Sequence, residues 1–237
     1  MKKFIRTTKG MMEDVFGLFF PNICLGCGRP LYRGEAVICA LCHFHLPKTY
    51  FHQDPDNPLH KVFWGRINLE MAAAYLYFQK GGVVQHLLHQ LKYQDHPEIG
   101  VIIGKWYGKE LNWVAQFRDV DLIIPVPLHK RKLRKRGYNQ SRMFAEGLAA
   151  VMKANIETGS LYRKTHSQTQ TRKSRYNRWE NVENIFAVRN SQKLEGQHIL
   201  LVDDVVTTGA TLESCAQALL TVPGVKISVA TIAFASF

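Results

Sequence analysis

The sequence has no long apolar stretch. No run of residues approaches the roughly 20 apolar positions that a membrane-spanning helix needs, so we expect no membrane span. The chain also contains no internal repeat and no low-complexity tract. It has 237 residues, 46% of them hydrophobic, which is enough for a buried core and predicts one full domain with a smaller piece.

A recognisable secretion signal is lacking as well. The first three residues, Met-Lys-Lys, could open a signal peptide, but Glu13 and Asp14 interrupt its apolar part and no small-residue cleavage site follows. We therefore expect a soluble, cytoplasmic protein. Residues 1–19 are predicted to form an amphipathic N-terminal helix, for which packing against the protein is favoured over a role at a membrane surface.

Acidic residues are scarce in one part of the chain. The formal net charge is +12, and residues 129–178 hold 14 of the 31 Lys and Arg residues but only 2 of the 19 Asp and Glu residues. The rest of the chain is therefore neutral. Charge confined in this way favours a localised anion site over a solvated basic surface, with a diphosphate, a nucleic acid or both as the partner.

Cysteine is rare, and most of it lies in one place. Four of the five cysteines form two Cys-x-x-Cys pairs separated by 11 residues. Such pairs present four thiolates to zinc, and a closed set of four predicts a structural ion. Disulfides or a redox pair are the alternatives, and a reducing compartment disfavours disulfides. His43 and His45 could replace a ligand but are expected on the surface. The predicted zinc ligands are Cys24, Cys27, Cys39 and Cys42.

The composition divides the chain near residue 65. Residues 20–47 are the predicted zinc-binding module, and residues 48–65, rich in turn formers, are predicted to be a linker. In residues 66–237, apolar strand patterns alternate with helical ones. Alternation of this kind predicts an α/β domain whose mostly parallel sheet carries helices on both faces. Strands are predicted at 71–78, 121–127, 198–202 and 225–234, and helices at 83–91, 99–114 and 209–221, with a further helix capped by Asn139 or Ser141.

A polar string follows the strand predicted at 198–202. Asp203 and Asp204 come first, and adjacent carboxylates can accept hydrogen bonds from a vicinal diol or hold Mg²⁺ through water. Small and hydroxylated residues then lead into a helix, whose N-terminus favours a phosphate, and Gly209 permits close backbone approach. The alternative is an ordinary strand–turn–helix with a Thr cap and two surface acids.

Two basic stretches account for the excess charge. Six of the seven residues from Lys130 to Arg136 are basic, and they are predicted to form a loop that neutralises a diphosphate; a nuclear-localisation run is the alternative. Residues 163–178 lack apolar periodicity and are predicted to be a mobile loop that closes over an anion, or else an ordinary surface loop. The candidate diphosphate contacts are Lys130, Arg131, Lys132, Arg134, Arg136, Arg172, Arg175 and Arg178.

The string from Leu200 to Leu212 resembles the ribose-phosphate motif of the type I phosphoribosyltransferases. The resemblance implies a type I phosphoribosyltransferase fold. It also implies that Asp203 and Asp204 bind the ribose hydroxyls of 5-phosphoribosyl 1-diphosphate, with Mg²⁺, and that the turn binds its 5-phosphate. The implied 5-phosphate residues are Val205, Val206, Thr207, Thr208, Gly209, Ala210 and Thr211.

Further motifs resemble the competence protein ComF family over nearly the whole chain. They are Pro-Val-Pro at 125–127, Arg-Gly-Tyr-Asn-Gln at 136–140, Arg178-Trp-x-Asn-Val-x-x-x-Phe186 and the phosphate string, together with the N-terminal cysteines. The resemblance implies a zinc module before a phosphoribosyltransferase-like domain. It also implies a role in bacterial DNA uptake, with single-stranded DNA and DNA-processing proteins as partners.

Two functions remain open from the sequence, together with a combination of the two in which the site senses 5-phosphoribosyl 1-diphosphate while DNA binds elsewhere. The first is an enzyme that transfers a ribosyl phosphate to an acceptor that the sequence does not identify; no residue stands out as its general base. The second is a non-catalytic module or adaptor that binds single-stranded DNA through the basic segment. Tyr138, Tyr176 and Trp179 would then stack on bases or anchor loops, and the zinc module could dock a partner helicase.

Overall fold

The fold is built on a sheet of five parallel strands. The computed structural model describes residues 21–164 and 185–235, so the helix predicted at 1–19 lies outside the described residues. The strand order is β1-β7-β6-β2-β3, and β4 and β5 form a separate antiparallel pair. The strands are β1 Met71–Tyr77, β2 Leu122–Pro125, β3 Asn155–Ile156, β4 Leu161–Arg163, β5 Phe186–Val188, β6 His198–Val206 and β7 Lys226–Phe234.

Helices follow β1, β2 and β6 along the chain, and two further helices precede β1. Two short 3₁₀ turns, Phe51–Gln53 and Ser191–Lys193, accompany them, and no described helix is long and apolar enough to cross a membrane. The helices are α1 Ala40–Phe44, α2 Pro58–Val62, α3 Val83–Tyr93, α4 Glu98–Leu111, α5 Ala115–Arg118, α6 Lys130–Arg136, α7 Gln140–Ala149 and α8 Ala210–Leu220.

The inner strands are covered on both faces. Eight consecutive residues of β7, from Ile227 to Phe234, are buried, as are the first six of β1. Side chains of a strand point alternately to the two faces, so unbroken burial requires cover on both sides. The α/β class with a parallel sheet is confirmed, and the four predicted strands lie within a few residues of their predicted bounds, whereas β3, β4 and β5 were not predicted.

Glycines let α4 and α7 approach very closely. A Cβ atom on Gly104 would lie 2.4 Å from the Phe144 carbonyl oxygen, and one on Gly147 would lie 2.2 Å from the Val101 carbonyl oxygen. Neither distance is compatible with a side chain, so only glycine permits this packing. The Asn139 side chain caps α7 by accepting a hydrogen bond from the Ser141 N–H, as one of the two predicted caps. The start of α7 is thereby held at the edge of the sheet.

The segment predicted as a linker packs against the sheet. Thr49 N–H donates to the Tyr75 carbonyl oxygen at 3.0 Å, next to the edge strand β1. Asn57 is fully buried and its amide donates to the carbonyl oxygens of Phe51, Asp54 and Ala72 at 3.1, 2.8 and 2.9 Å. We call residues 47–66 the strap. Its turn-forming residues make caps and turns rather than a free connection, while the domain boundary near residue 65 stays a prediction.

Two local expectations are wrong. Residues 130–136 form helix α6 rather than a loop; His129 caps it, and none of its residues is buried. A run of Lys, Arg and Leu has high helix propensity, and this outweighs the charge repulsion along an exposed helix. In addition, β6 continues to Val206, so Asp203 and Asp204 lie within the strand rather than following it, and Asp203 pairs with Thr231 of β7.

Candidate functional site

The carboxyl ends of β2 and β6 open into a common cavity. The two strands are neighbours in parallel register, with Pro125 opposite Val202, so the segments that follow them meet at one edge. Ligands of open parallel sheets bind at this edge. The cavity measures about 190 Å³, and both acids and four cations face it. It is lined by Lys92, Val126, Pro127, Leu128, His129, Lys132, Arg136, Gln140, Ser141, Arg163, Asp203, Asp204 and Thr211.

Asp203 is the more enclosed of the two acids. Its Oδ1 accepts hydrogen bonds from the Ser141 hydroxyl and from the Asp204 N–H, both at 2.8 Å. Burial raises the pKa of Asp203 to about 7, and the neighbouring Asp204 carboxylate adds to the rise. Hydrogen bonds and Lys92 oppose the rise without cancelling it. The carboxyl group therefore changes its charge close to neutral pH.

Asp204 is paired with a lysine from another element. Its Oδ2 lies 3.1 Å from Nζ of Lys92, near the end of α3, and both side chains are largely shielded from solvent. The contact places one positive charge beside Asp204, and Lys92 also opposes the rise in the pKa of Asp203, so it acts on both carboxylates. A ligand that needs both carboxylates must share them with Lys92, and a ligand with negative charge gains Lys92 as a partner.

The turn after β6 forms a shallow second hollow. Its volume is about 50 Å³, and all seven residues predicted to hold the 5-phosphate, Val205–Thr211, line it together with Asp203 and Leu212. Gly209 takes the left-handed conformation at φ 75° and caps α8, an 11-residue helix. Thr207, Thr208 and Thr211 are exposed, so their hydroxyls and the first N–H groups of α8 are available to an anion.

Only part of the basic segment, residues 129–178, faces the common cavity at the ends of β2 and β6. Lys132 and Arg136 line it, whereas Arg134 lines a neighbouring pocket of about 410 Å³ beside Tyr93. Lys130 and Arg131 line neither of these two pockets. Arg172, Arg175 and Arg178 were also predicted as contacts, and they lie outside the described residues, as do Tyr176 and Trp179.

Arg136 is the best-held cation of α6. Its guanidinium donates to Gln140 Oε1 at 2.7 Å and stands over the exposed Tyr93 ring at 5.1 Å. Tyr138, predicted to stack on a base or to anchor a loop, is half-buried, and its hydroxyl donates to the Leu91 carbonyl oxygen at 2.6 Å. Tyr138 therefore anchors the start of α7 against α3.

The structure adds residues to the site that the sequence did not single out. The sequence predicts Ser141 only as a helix cap and Arg163 only as the start of a loop, and Lys92 has no predicted role in binding the anion. All three line the common cavity. Their chain positions are far from the phosphate string, so no local pattern connects them with it; only the parallel order of the strands brings them together.

The four N-terminal cysteines form a cluster as predicted. Their Sγ atoms all lie within 4.8 Å of one another, and none is in a disulfide. The N–H groups of Gly26 and Cys39 donate to Cys24 Sγ at 3.3 and 3.1 Å. Burial raises the pKa of Cys24, but backbone hydrogen bonds outweigh it and bring the pKa down to about 7. A cluster of this geometry can hold a metal ion that prefers thiolates, such as zinc.

The neighbouring histidines are not part of the cluster. His43 stacks on Trp106 of α4 with ring centroids 3.8 Å apart, and His45 Nδ1 lies 2.8 Å from the Leu41 carbonyl oxygen. The Gln90 side chain of α3 also donates to the Leu25 carbonyl oxygen. The cysteine module therefore docks on α3 and α4. The remaining cysteine, Cys215, is fully buried in α8 and packs there, as expected.

Comparison with known proteins agrees with this architecture. Residues 139–236 match the family model described as "Phosphoribosyl transferase domain". The chain is also similar to the glutamine phosphoribosylpyrophosphate amidotransferase structure from B. subtilis, at 18% identity and a TM-score of 0.40, over 60% of this chain and 30% of that one. The family match and the parallel sheet show the fold of a phosphoribosyltransferase-like protein.

Three curated relatives narrow the class. The DNA utilization protein YhgH of Escherichia coli (strain K12) is 30% identical over 219 residues, which cover 86% of this chain and 92% of the relative. The competence protein ComFC of Bacillus subtilis (strain 168) is 33% identical over 84% of this chain and 78% of the relative. Competence protein F of Haemophilus influenzae is 32% identical over 44% of this chain and 46% of the relative. The chain belongs to the competence protein ComF family.

Proposed function

We propose that this protein binds 5-phosphoribosyl 1-diphosphate in the common cavity at the ends of β2 and β6 and acts in DNA uptake or the use of imported DNA. One observation carries the first part: two adjacent carboxylates and four cations line one cavity of about 190 Å³, and Asp203 and Thr211 line both this cavity and the hollow formed by the phosphate-type turn. The second part is supported by the relatives, whose names describe DNA utilization and competence.

Each part of the cavity matches one part of that ligand. Asp203 and Asp204 would accept hydrogen bonds from the two ribose hydroxyls, and the turn at 207–211 would receive the 5-phosphate on its N–H groups and hydroxyls. The diphosphate would face the cations on the other wall, Lys92, Lys132, Arg136 and Arg163. A sugar with phosphates at both ends therefore fits better than a mononucleotide or a free diphosphate.

The same arrangement suits transfer chemistry. When the C1–oxygen bond of the sugar breaks, the diphosphate leaves with the electron pair, and the cations would neutralise its growing charge. Bound Mg²⁺ would add charge neutralisation at the diphosphate, and Asp203 and Asp204 could hold it through water. The protein's own residues would contribute by positioning the ligand and by neutralising its charge. No residue is assigned to the acceptor.

Calorimetry with 5-phosphoribosyl 1-diphosphate and Mg²⁺ tests the proposal. Wild-type protein should bind, and the double variant Asp203→Asn/Asp204→Asn should bind about 100-fold more weakly or worse, because two charge-assisted hydrogen-bond acceptors are lost.

A matched control removes two acids from the opposite edge of the sheet. Asp119 and Glu195 are exposed and lie before β2 and β6. The variant Asp119→Asn/Glu195→Gln therefore also removes two acidic side chains, but at a place far from the cavity. This variant should keep wild-type affinity. No heat with wild type, or equal affinities in the two double variants, would contradict the proposal.

Single-stranded DNA binding is a second candidate function. Lys130 and Arg131 are exposed and lie outside the two anion pockets, while Arg134 and Lys135 surround the exposed Tyr93 ring. These cations exceed what one diphosphate requires. A cationic helix beside an exposed aromatic ring is suited to a backbone of phosphates with stacked bases.

Fluorescence anisotropy with a labelled oligonucleotide separates the two functions. Binding should weaken steeply with salt. Lys130→Ala/Arg131→Ala should lower DNA affinity while leaving 5-phosphoribosyl 1-diphosphate affinity unchanged. Asp203→Asn/Asp204→Asn should lower 5-phosphoribosyl 1-diphosphate affinity while leaving DNA affinity unchanged. Binding that does not respond to salt, or DNA affinity unaffected by loss of Lys130 and Arg131, would argue against this function.

We also propose that the cysteine cluster holds one structural zinc ion. Four thiolates close the coordination shell, which leaves no open position for a substrate. Metal analysis of the native protein should give about one zinc per chain, as expected for a four-cysteine site. Protein purified without metal, with its cysteines oxidised, would rule the proposal out.

A further inference from the structure

The strap reaches the turn at residues 207–211, which we call the phosphate turn, and contacts it directly. A Cβ atom on Gly209 would lie 2.8 Å from Cε1 of Phe63 and 3.0 Å from Cγ1 of Val62, so the end of α2 is seated against the turn. Phe63 is fully buried there. The strap is fixed in its middle, because the buried Asn57 amide donates to the Ala72 carbonyl oxygen of β1. The turn is thus held between the sheet and a segment outside the matched domain.

Arg66, the last residue of the strap, joins this contact with its charge. Its Nη1 donates to the carbonyl oxygens of Val62 at 3.1 Å and of Thr208 at 3.4 Å. Its Nη2 forms an ion pair with Oε2 of Glu213. The other carboxylate oxygen of Glu213 is 3.5 Å from the Gln217 amide nitrogen.

The carboxylate of Glu213 lies where it would repel an anion bound at this turn. It lies in the first turn of α8, the same turn whose N–H groups face the hollow at 205–212, and its N–H bonds to the Gly209 carbonyl oxygen at 2.9 Å. Its side chain is only 18% exposed, so water screens it incompletely. An uncompensated carboxylate there would repel a phosphate and offset the favourable field of the helix N-terminus.

We propose that Arg66 is a positioning residue for the phosphate turn: it cancels the charge of Glu213 so that the turn can accept a phosphate. The inference rests on the proposed function of that turn. Arg66 acts through Glu213 and Thr208 rather than by touching the ligand. The proposal gives a role in the site to a residue that lies outside the region matched by the family model and belongs to no recognised motif.

Ribose 5-phosphate is the probe, because it engages the turn and the acids but not the cations that face a diphosphate. Calorimetry should show that Arg66→Met, which keeps most of the apolar stem, weakens binding about tenfold, the order expected for one uncompensated charge near a partly exposed anion site. The double variant Arg66→Met/Glu213→Gln should regain affinity to within about twofold, since the repelling charge is gone. The loss in the single variant should also shrink as salt rises, because salt screens Glu213.

The outcomes separate this inference from the function on which it rests. If wild type does not bind ribose 5-phosphate, the proposed function of the turn fails and the inference fails with it. If wild type binds and Arg66→Met binds equally well, only the inference is overturned. A loss that Glu213→Gln does not restore, or that is independent of salt, also overturns it, because a purely structural role predicts that result. Thermal melts of the same variants report any loss of folding.

Discussion

The cavity has one buried wall and one exposed wall. The buried wall is β6, which pairs with β7 along its length. The turn that follows β6 is held in place by the strap, which packs against Gly209. The exposed wall is α6, seven residues with no buried side chain. The difference indicates that the two walls have different roles. The buried wall fixes the geometry of the cavity and contributes to stability, while the exposed wall supplies positive charge and contributes little to stability.

Changing Gly209 should give the largest effect on the buried wall. Gly209→Ala combines a left-handed backbone with a clash against Phe63, so we expect a loss of about 2 to 5 kcal/mol in unfolding free energy. Urea unfolding measures it. Gly137, which ends α6 at φ 80° with nothing within 4 Å of a Cβ, is the control: Gly137→Ala should cost only the backbone term, about 1 to 2 kcal/mol. Equal losses would remove the distinction between the walls.

Asp203 should make stability of the buried wall depend on pH. Because burial raises its pKa to about 7, the folded protein retains a proton that the unfolded chain releases near pH 4. The stability from this proton is complete below pH 4 and is lost as pH rises through 7. Asp203→Asn stays neutral and keeps an acceptor oxygen for Ser141, so it should exceed wild type by about 2 to 3 kcal/mol at pH 8.

The difference between Asp203→Asn and wild type should nearly vanish at pH 4. Urea unfolding at both pH values measures this, and the exposed Asp56, changed to Asn, should show no such dependence. Parallel pH curves for wild type and Asp203→Asn would mean that folding does not raise the pKa of Asp203. The substitution would stabilise the protein while weakening the proposed site, a trade expected of a buried functional carboxylate.

Removing charge from the exposed wall should affect binding alone. Lys132→Ala/Arg136→Ala should weaken 5-phosphoribosyl 1-diphosphate about tenfold, more at low salt, without lowering the melting temperature. Lys130→Ala/Arg131→Ala removes the same charge from the same helix but outside the pocket, so its affinity should be unchanged. Calorimetry at two salt concentrations measures both. Equal losses would mean that α6 acts through its net charge and not through particular residues.

Tyr93 should give the smallest effect. Tyr93→Phe keeps the ring under Arg136 and loses only a 3.5 Å contact between the hydroxyl and the guanidinium. Its affinity for the same ligand should change less than about twofold, whereas Tyr93→Ala should lose about two- to fivefold with the cation–π contact. A titration of both variants is sufficient. Equal effects would mean that the hydroxyl, and not the ring, orders Arg136.

The sequence predicts what depends on local pattern. The strand before Asp203, the cap at Asn139 and the cysteine cluster each follow from residue types at fixed spacing, and the structure confirms their local arrangement. The helical state of residues 130–136 was missed because a dense run of cations was interpreted as a loop. The helix propensity of Lys and Arg was given too little weight there.

The rest of the site depends on contacts between distant parts of the chain. Lys92, Ser141 and Arg163 enter the cavity from α3, α7 and β4, and no spacing rule connects them with Asp203. The strap was interpreted as a linker because its Pro, Asn and Asp residues are typical of turns. The same residues also cap short helices and bond to a sheet edge, and only the packing of Phe63 against Gly209 distinguishes the two uses.

The position of β7 between β1 and β6 also bears on how the chain folds. Met71 pairs with Ser228, although most of the sequence lies between them. Until residues 226–234 have been synthesised, neither β1 nor the β7-facing side of β6 has its partner, so the centre of the sheet is completed last. Pairing over such long sequence separations is slow, and unpaired strand edges invite association with other chains. The protein is therefore expected to fold late in its synthesis and to be most prone to aggregation just before β7 inserts.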